Sequence, residues 1–133
     1  MKVKVTRATP IQLDWMVLTA LRGEPADVGD FGTLIPWTKK MRAMWNGRLF
    51  NPTSSGEIVT KIIEQEKIET RWIILEVDHD APEPAKATKG YWQAANLLTD
   101  TYGYMGPTMM IAAMRCFVAG RLGDEVDVPE SIV

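Results

Sequence analysis

The sequence predicts a single α+β domain in which a small, mostly antiparallel sheet packs with about three helices. Three observations predict it. Stretches alternating apolar and polar residues, or rich in β-branched and aromatic residues, occur near both ends and in the second half ("MKVKVT", "ETRWIILEV", "ATKGYWQAANLL", "DEVDVPE"), as half-buried strands require. Two capped amphipathic stretches and one that is apolar on nearly every side read as helices. The 133 residues are enough for one core and too few to divide comfortably, so residues 1–133 are read as one domain.

The elements follow in order. Val3 and Val5 lie on one face of "MKVKVT", opposite Lys2, Lys4 and Thr6. "ATPIQLDWMVLTALRG" carries a complete helix start: Thr9 as N-cap, Pro10 in the first helical position, Gln12 three residues after the cap, and Ala8 with Leu13 at staple spacing. Gly23 is the stop, and Leu13, Val17, Ala20 and Leu21 form the apolar face, with Gln12, Asp14 and Thr19 mostly off it. From Glu24 to Asn51 the periodicity fails, which marks a long connection interrupted by a short helix in "PWTKKMRAMW". "FNPTSSGEIVTKIIEQEKI" gives the second main helix, with Ser54 and Glu57 at capping-box spacing and Ile58, Val59, Ile62 and Ile63 as its stripe. "ETRWIILEV" and "ATKGYWQAANLL" pair as an antiparallel hairpin around the loop "DHDAPEPAK", in which His79 sits in a solvated turn. "GPTMMIAAMRCFVAGRLG" is the third helix, ended by glycine, and "DEVDVPE" is a short alternating edge strand or an extended tail ended by Pro129. The core is expected to hold Val3, Val5, Leu13, Val17, Ile58, Ile62, Ile74, Ala112, Cys116 and Ala119.

Composition removes several classes of function. Apolar residues are 46% and charged residues 24%, which excludes disordered and collagen-like chains. A net charge of -2 supplies no field to draw the chain onto nucleic acid or anionic lipid. No apolar run approaches about 18 residues, and the N-terminus lacks a signal peptide's apolar segment. With Cys116 as its single cysteine, the chain fits a reducing compartment. The expected location is the cytoplasm.

Four stretches carry a resemblance: "MKVKV" followed by a helix with "QLDW", the segment "NPTSSGEIVTKIIEQEKI", the strand "YWQA", and above all "GPTMMIAAMRCFVAGRLGDEVDVP". Together they resemble the NinX-like family of small lambdoid phage and prophage proteins of unknown function, and more distantly the phage domains described as an α-β-α sandwich. Gly23 to Arg48 are not covered by these motifs, and the chain departs from the family pattern at Thr53 to Gly56. The resemblance implies a phage or prophage origin and an α+β sandwich, which makes the expected cytoplasm that of the bacterial host. It brings no activity with it.

Three groups of residues are candidates for binding. "NPTSSGE" opens a helix, where backbone N–H groups and the hydroxyls of Thr53, Ser54 and Ser55 could hold an anion, with Arg48 close in sequence and Arg115 as the lone cation of the third helix. Capping accounts for the same hydroxyls, the Gly and Lys of a phosphate loop are missing, and an ion pair with Asp14, Glu57 or the acidic tail, or a carbonyl contact, accounts for Arg115. "WTKKMRAMWNGR" offers Trp37, Lys40, Arg42 and Trp45 to a partner, the competing reading being tryptophans folded back onto the core. On the third helix, Ala112, Cys116, Ala119 and Gly120 form a small-residue face suited to close approach, while Met110, Met114 and Phe117 form a face that either a subunit partner or the rest of the core must cover.

No Ser-His-Asp set can be assembled around a lone histidine, so no catalytic residue, metal ligand or cofactor is assigned. The expected function is that of a phage or prophage accessory protein binding a host or phage protein, with a homodimer expected from surplus apolar area and neither membrane nor nucleic acid as partner. The alternative is a small enzyme or a nucleotide- or anion-binding protein using the Arg48 to Gly56 loop.

Overall fold

The first helix begins where its capping residues place it. The Gln12 N–H donates to Thr9 Oγ1 at 3.3 Å and the Thr9 N–H to Gln12 Oε1 at 3.0 Å, so two donors that a helix start leaves orphaned are satisfied reciprocally. Ala8 and Leu13, at staple positions, are both buried.

The computed structural model describes residues 1–22, 44–45, 48–49, 51–77, 79–80 and 87–132. Among them the order is β1 (Lys2–Lys4), a 3-10 turn (Val5–Arg7), α1 (Pro10–Arg22), β2 (Met44–Trp45), β3 (Arg48–Leu49), α2 (Gly56–Glu66), β4 (Ile68–Val77), β5 (Ala87–Asn96), β6 (Thr101–Gly106), α3 (Met109–Leu122), β7 (Glu125–Asp127) and a 3-10 turn (Glu130–Ile132). The strands form antiparallel sheets ordered β1-β7, β2-β3 and β4-β5-β6. The fold is α+β. Met44 and Trp45 pair with Leu49 and Arg48 as strands, so they are not the end of a helix; the rest of the short helix expected in this connection lies outside the described residues.

Helix α3 is the middle layer. Thr108 caps it by accepting the Ile111 N–H at 3.1 Å, and the Gly123 N–H closes the other end on the Ala119 carbonyl at 3.0 Å. Gly123 has φ +89, a conformation that a side chain resists. One side of α3 lies on the sheet, and two glycines fix how close it comes. A Cβ on Gly106 would stand 2.7 Å from the Ala112 nitrogen, and one on Gly120 would stand 2.6 Å from Thr99 Oγ1. The small-residue face of the helix therefore meets the sheet as expected, with Ala112 and Cys116 buried there and Ala119 partly so.

The other side of α3 packs against α1 and α2. Met114 and Phe117 are fully enclosed in the core, together with Leu13, Met16, Val17 and Leu18 of α1 and Val59 and Ile62 of α2. Arg121 joins α3 to the end of α2: it pairs with Glu66, and its guanidinium stands 5.5 Å from the Phe117 ring centroid, so the cation covers the aromatic edge of the core while the carboxylate neutralises it.

Helix α1 is enclosed more completely than its pattern indicated. Gln12, Asp14 and Thr19 are buried along with the apolar face, whereas Leu21 is 40% exposed. Gln12 Nε2 reaches the Ile132 carbonyl at 3.2 Å, and Asp14 receives a loop described below, so the polar side of this helix is covered by hydrogen-bonded chain. Val5, Val3 and Val126 close the core under β1 and β7, where Lys2 stands opposite Asp127 and Lys4 opposite Glu125.

Ile74 does not join the core: it is 51% exposed. On its face of β4, exposure grows from buried Ile68 to Trp72, at 41%, and Ile74, because the strand runs on past the cover that α3 provides. Ile58, also expected inside, is partly buried at the rim. A third sheet strand, β6, stands where the second arm of the hairpin was expected to lead straight to the helix, and "ATKGYWQAANLL" ends as a strand at Asn96.

Gly106→Ala should lower stability by about 1–3 kcal/mol, the usual cost of forcing an atom into a filled space, since the obstacle is backbone. A shift of the urea midpoint to lower concentration with an unchanged slope would check it.

Candidate functional site

Residues 51–55 form a turn whose donors point inward. The Ser54 and Ser55 N–H groups both reach the Asn51 carbonyl, at 2.9 and 2.8 Å. Thr53 is buried, and its N–H and Oγ1 donate to the Asp14 carboxylate at 2.9 and 3.2 Å. Asp14 is itself fully buried, and a carboxylate out of water requires such charge-assisted bonds. An anion is thus supplied by the chain's own first helix, and the Thr53 donors are spent on it.

The remaining hydroxyls behave differently from the expected capping box. The helix starts at Gly56 with Ser55 as N-cap and without a side-chain capping bond. Ser54 lies one residue earlier, its hydroxyl engaged with the Asn51 side chain at 3.0 Å and facing the Asn51 carbonyl at 3.4 Å. Local competition from Asn51, and the fixing of Thr53 on Asp14, displace the cap by one residue.

Arg115 is on a different element with a different partner. Its Nη1 donates to the Met105 carbonyl of β6 at 2.7 Å, while its Nε has no hydrogen-bond partner among the described residues. Burial holds its pKa below the usual guanidinium value. The contact is the carbonyl one of the two that its sequence position allowed, and it does not bring Arg115 into the Thr53–Asp14 hydrogen bonds. The Arg48 side chain, and Trp37, Lys40, Arg42 and the Trp45 side chain, lie outside the described residues. Of the three interface candidates, Met114 and Phe117 are buried by α1 and α2 of their own chain, and Met110 alone keeps partial exposure; they do not form a shared patch on the surface. Cys116 is buried against the Thr101 carbonyl, 3.8 Å from its Sγ, and burial pushes its thiol up to about 11.

Among the described residues, most of the large apolar side chains that face solvent belong to the three-stranded sheet and its turns. Leu97 and Leu98, in the turn between β5 and β6, are 61% and 71% exposed. This turn is tightly built. The buried Asn96 side chain accepts the Leu98 N–H at 2.9 Å, Thr99 and Thr101 share a hydroxyl bond of 2.9 Å, and Gly120 of α3 presses on Thr99 from beneath. Asp100 takes a left-handed conformation, φ 55, and its carboxylate raises the pKa of the nearby Tyr102. Two leucines are therefore held outward on a turn whose polar groups bond within it, with Tyr102 exposed just after it in β6. At the far end, Trp72 and Trp92 stand opposite each other across β4 and β5 with rings 5.6 Å apart at 63°, an edge-to-face pair. A Cβ on Gly90 would fall 2.5 Å from the Trp72 ring, so the glycine makes room for the indole. Neither the leucine turn nor this aromatic end was singled out from sequence; the signal lay in Asn96 and Asp100, turn formers flanking two leucines.

The profile of the family described as Bacteriophage P22, NinX matches residues 4–121. The chain belongs to this family. The NinX match includes residues 23–48, which the sequence motifs left uncovered, and stops before the acidic tail that supplied part of the most specific motif. It takes in α1, α2, the whole three-stranded sheet and nearly all of α3, hence both the Asp14–Thr53 link and the leucine turn. None of the curated proteins compared with the chain matches it.

Removing the Thr53 hydroxyl tests the internal anchor. Thr53→Val should cost about 1–3 kcal/mol by leaving a buried carboxylate short of a donor, read as a lowered unfolding midpoint. For Cys116 the sign is that of a raised acid: the unfolded chain releases the thiol proton near the ordinary value of about 8.5 and the native chain holds it to about 11. Stability should fall as pH rises through that window, and the native thiol should react with disulfide reagents far more slowly than in urea; equal rates would contradict its burial.

Proposed function

We infer that this member of the NinX family is a phage accessory protein that works by binding another protein, of host or phage origin, in the cytoplasm of the infected cell, with no chemistry of its own. The observation that carries this reading is the β5–β6 turn with the start of β6, which hold Leu97, Leu98 and Tyr102 in solvent at 54–71% exposure. Scattered exposed apolar residues are ordinary. Adjacent leucines on a turn fixed by Asn96, the Thr99–Thr101 bond and the underlying helix are pre-organised, and a group held rigid in its bound conformation loses less entropy on docking. A leucine pair of this kind fits a shallow apolar pocket on a folded partner, and the tyrosine adds a hydroxyl at its rim. The loop at residues 51–56 gives the alternative, an anion or nucleotide site, no comparable support, because Asp14 engages both Thr53 donors.

The test is capture from lysate of phage-infected host cells on the immobilised protein, with the double variant Leu97→Asp/Leu98→Asp in parallel. The expected result is a protein retained by the native chain and lost with the variant, whose thermal unfolding should be unchanged because both side chains are exposed. Retention by both proteins would remove the turn from the reading, and retention by neither would sink it.

A further inference from the structure

The outer edge of β4 combines length with a charge pattern. It is a ten-residue strand at the margin of the β4-β5-β6 sheet, with no strand beyond it among the described residues. The opposite margin, β6, is shorter, contains Gly103 at φ +77, and has its Met105 carbonyl taken by Arg115, so it offers a poorer template. An open edge presents an unpaired row of N–H and C=O groups that recruits other strands, and it is ordinarily blunted by charged side chains, above all lysine, by proline or by bulges. On β4 the charges alternate in sign. Glu69 and Arg71 flank Thr70, and both side chains are exposed on the face that bears Gln93 and Ala95 of β5.

We propose that β4 is a self-docking edge, at which a second copy of this chain adds antiparallel about a two-fold axis through Thr70 and turns two three-stranded sheets into one of six. Two-fold pairing of a strand with its own copy, with the faces of the two sheets matched, must be centred on a residue, since directly opposed residues share a face. Centred on Thr70, Glu69 of each copy stands opposite Arg71 of the other, giving two opposed ion pairs. A centre on Glu69 or on Arg71 sets like charges against each other. Centres farther along, at Trp72 or Ile73, put both Glu69 and Arg71 opposite apolar residues. Opposite charges directly across a ladder stabilise it and like charges destabilise it, so the charge pattern selects the first register. The exposed Trp72 then lies across from Ile68 of the second copy on the other face, which removes part of its indole from water. Self-complementary patches meeting about a two-fold axis are the commonest way in which soluble proteins pair.

The charges also supply the test. The native chain should sediment at twice 14.9 kDa in a micromolar concentration series. Glu69→Arg and Arg71→Glu, each made alone, set two like-charge pairs across the axis and should weaken dimerisation at least about tenfold. The exchanged double variant Glu69→Arg/Arg71→Glu restores both attractions and should recover the dimer. Loss of the Arg71–Gln93 hydrogen bonds within one chain would not be recovered by the exchange, so recovery separates pairing from a merely structural role. Circular dichroism and thermal unfolding confirm that each variant is folded. A native chain that stays at 14.9 kDa overturns the proposal, as does a dimer that the single reversals leave intact or that the exchange fails to restore. These outcomes are independent of Leu97 and Leu98, so the partner-binding reading can stand or fall separately.

Discussion

The spacing between α3 and the sheet is the constraint on which the rest of this molecule depends. Gly106 and Gly120 leave no room for a side chain between helix and sheet, so α3 settles onto β5 and β6 with alanine and cysteine at the contact. Once that distance is fixed, the large residues of the helix, Met114 and Phe117, project away from the sheet and need a second cover, which α1 and α2 supply. A helix without a polar stripe is the natural middle of such a stack, since it has no side that must reach water. Glycine at these two points loses more chain entropy on folding than alanine would, and the packing it permits along the length of α3 outweighs that loss.

A second theme is the internal use of charge. Asp14 and Glu66 are both buried, and each is met by donors from another element: Thr53 before α2 in the first case, Arg121 on α3 in the second. Single bonds of this kind contribute modestly to stability, but breaking one leaves a desolvated carboxylate, which costs several times more. Both therefore act as locators. The first sets where the chain enters α2, and the second sets the angle at which α2 leaves for β4.

What could be read from the sequence divides by distance along the chain. The Thr9–Gln12 box, the glycine at the end of α3, the β4–β5 hairpin and the final short strand were legible because each is written within a few residues. The same local reading failed at Leu97, where two leucines continued a strand pattern that Asn96 and Asp100 in fact end. Asp14 looked like part of a solvent face because its partner, Thr53, lies 39 residues away. Ile74 was assigned to the right face of its strand, yet periodicity says nothing about where the covering helix stops. For Met114 and Phe117 the pattern foretold cover and left open whether a subunit partner or the rest of the core supplies it; the core does. Thr53, Ser54 and Ser55 of the anion candidate were seen as a helix entrance, and the one fact that decides the use of Thr53, a buried carboxylate from α1, has no local sign.

The pairing of β1 with β7 has a bearing on how the chain comes together. Lys2 lies beside Asp127, the Val5 N–H binds the Asp124 carbonyl, and the Val128 N–H binds the carbonyl of Met1. Contacts between such distant positions demand closure of nearly the entire chain, the costliest kind of loop in entropy. During synthesis, α1, α2 and the three-stranded sheet exist as nascent chain well before residues 124–128 are made, while β1 waits without its neighbour and the valines beneath it stay wet. The ladder of the outermost strands is thus the latch that shuts last, and until it shuts the core under Val3 and Val5 remains open to water.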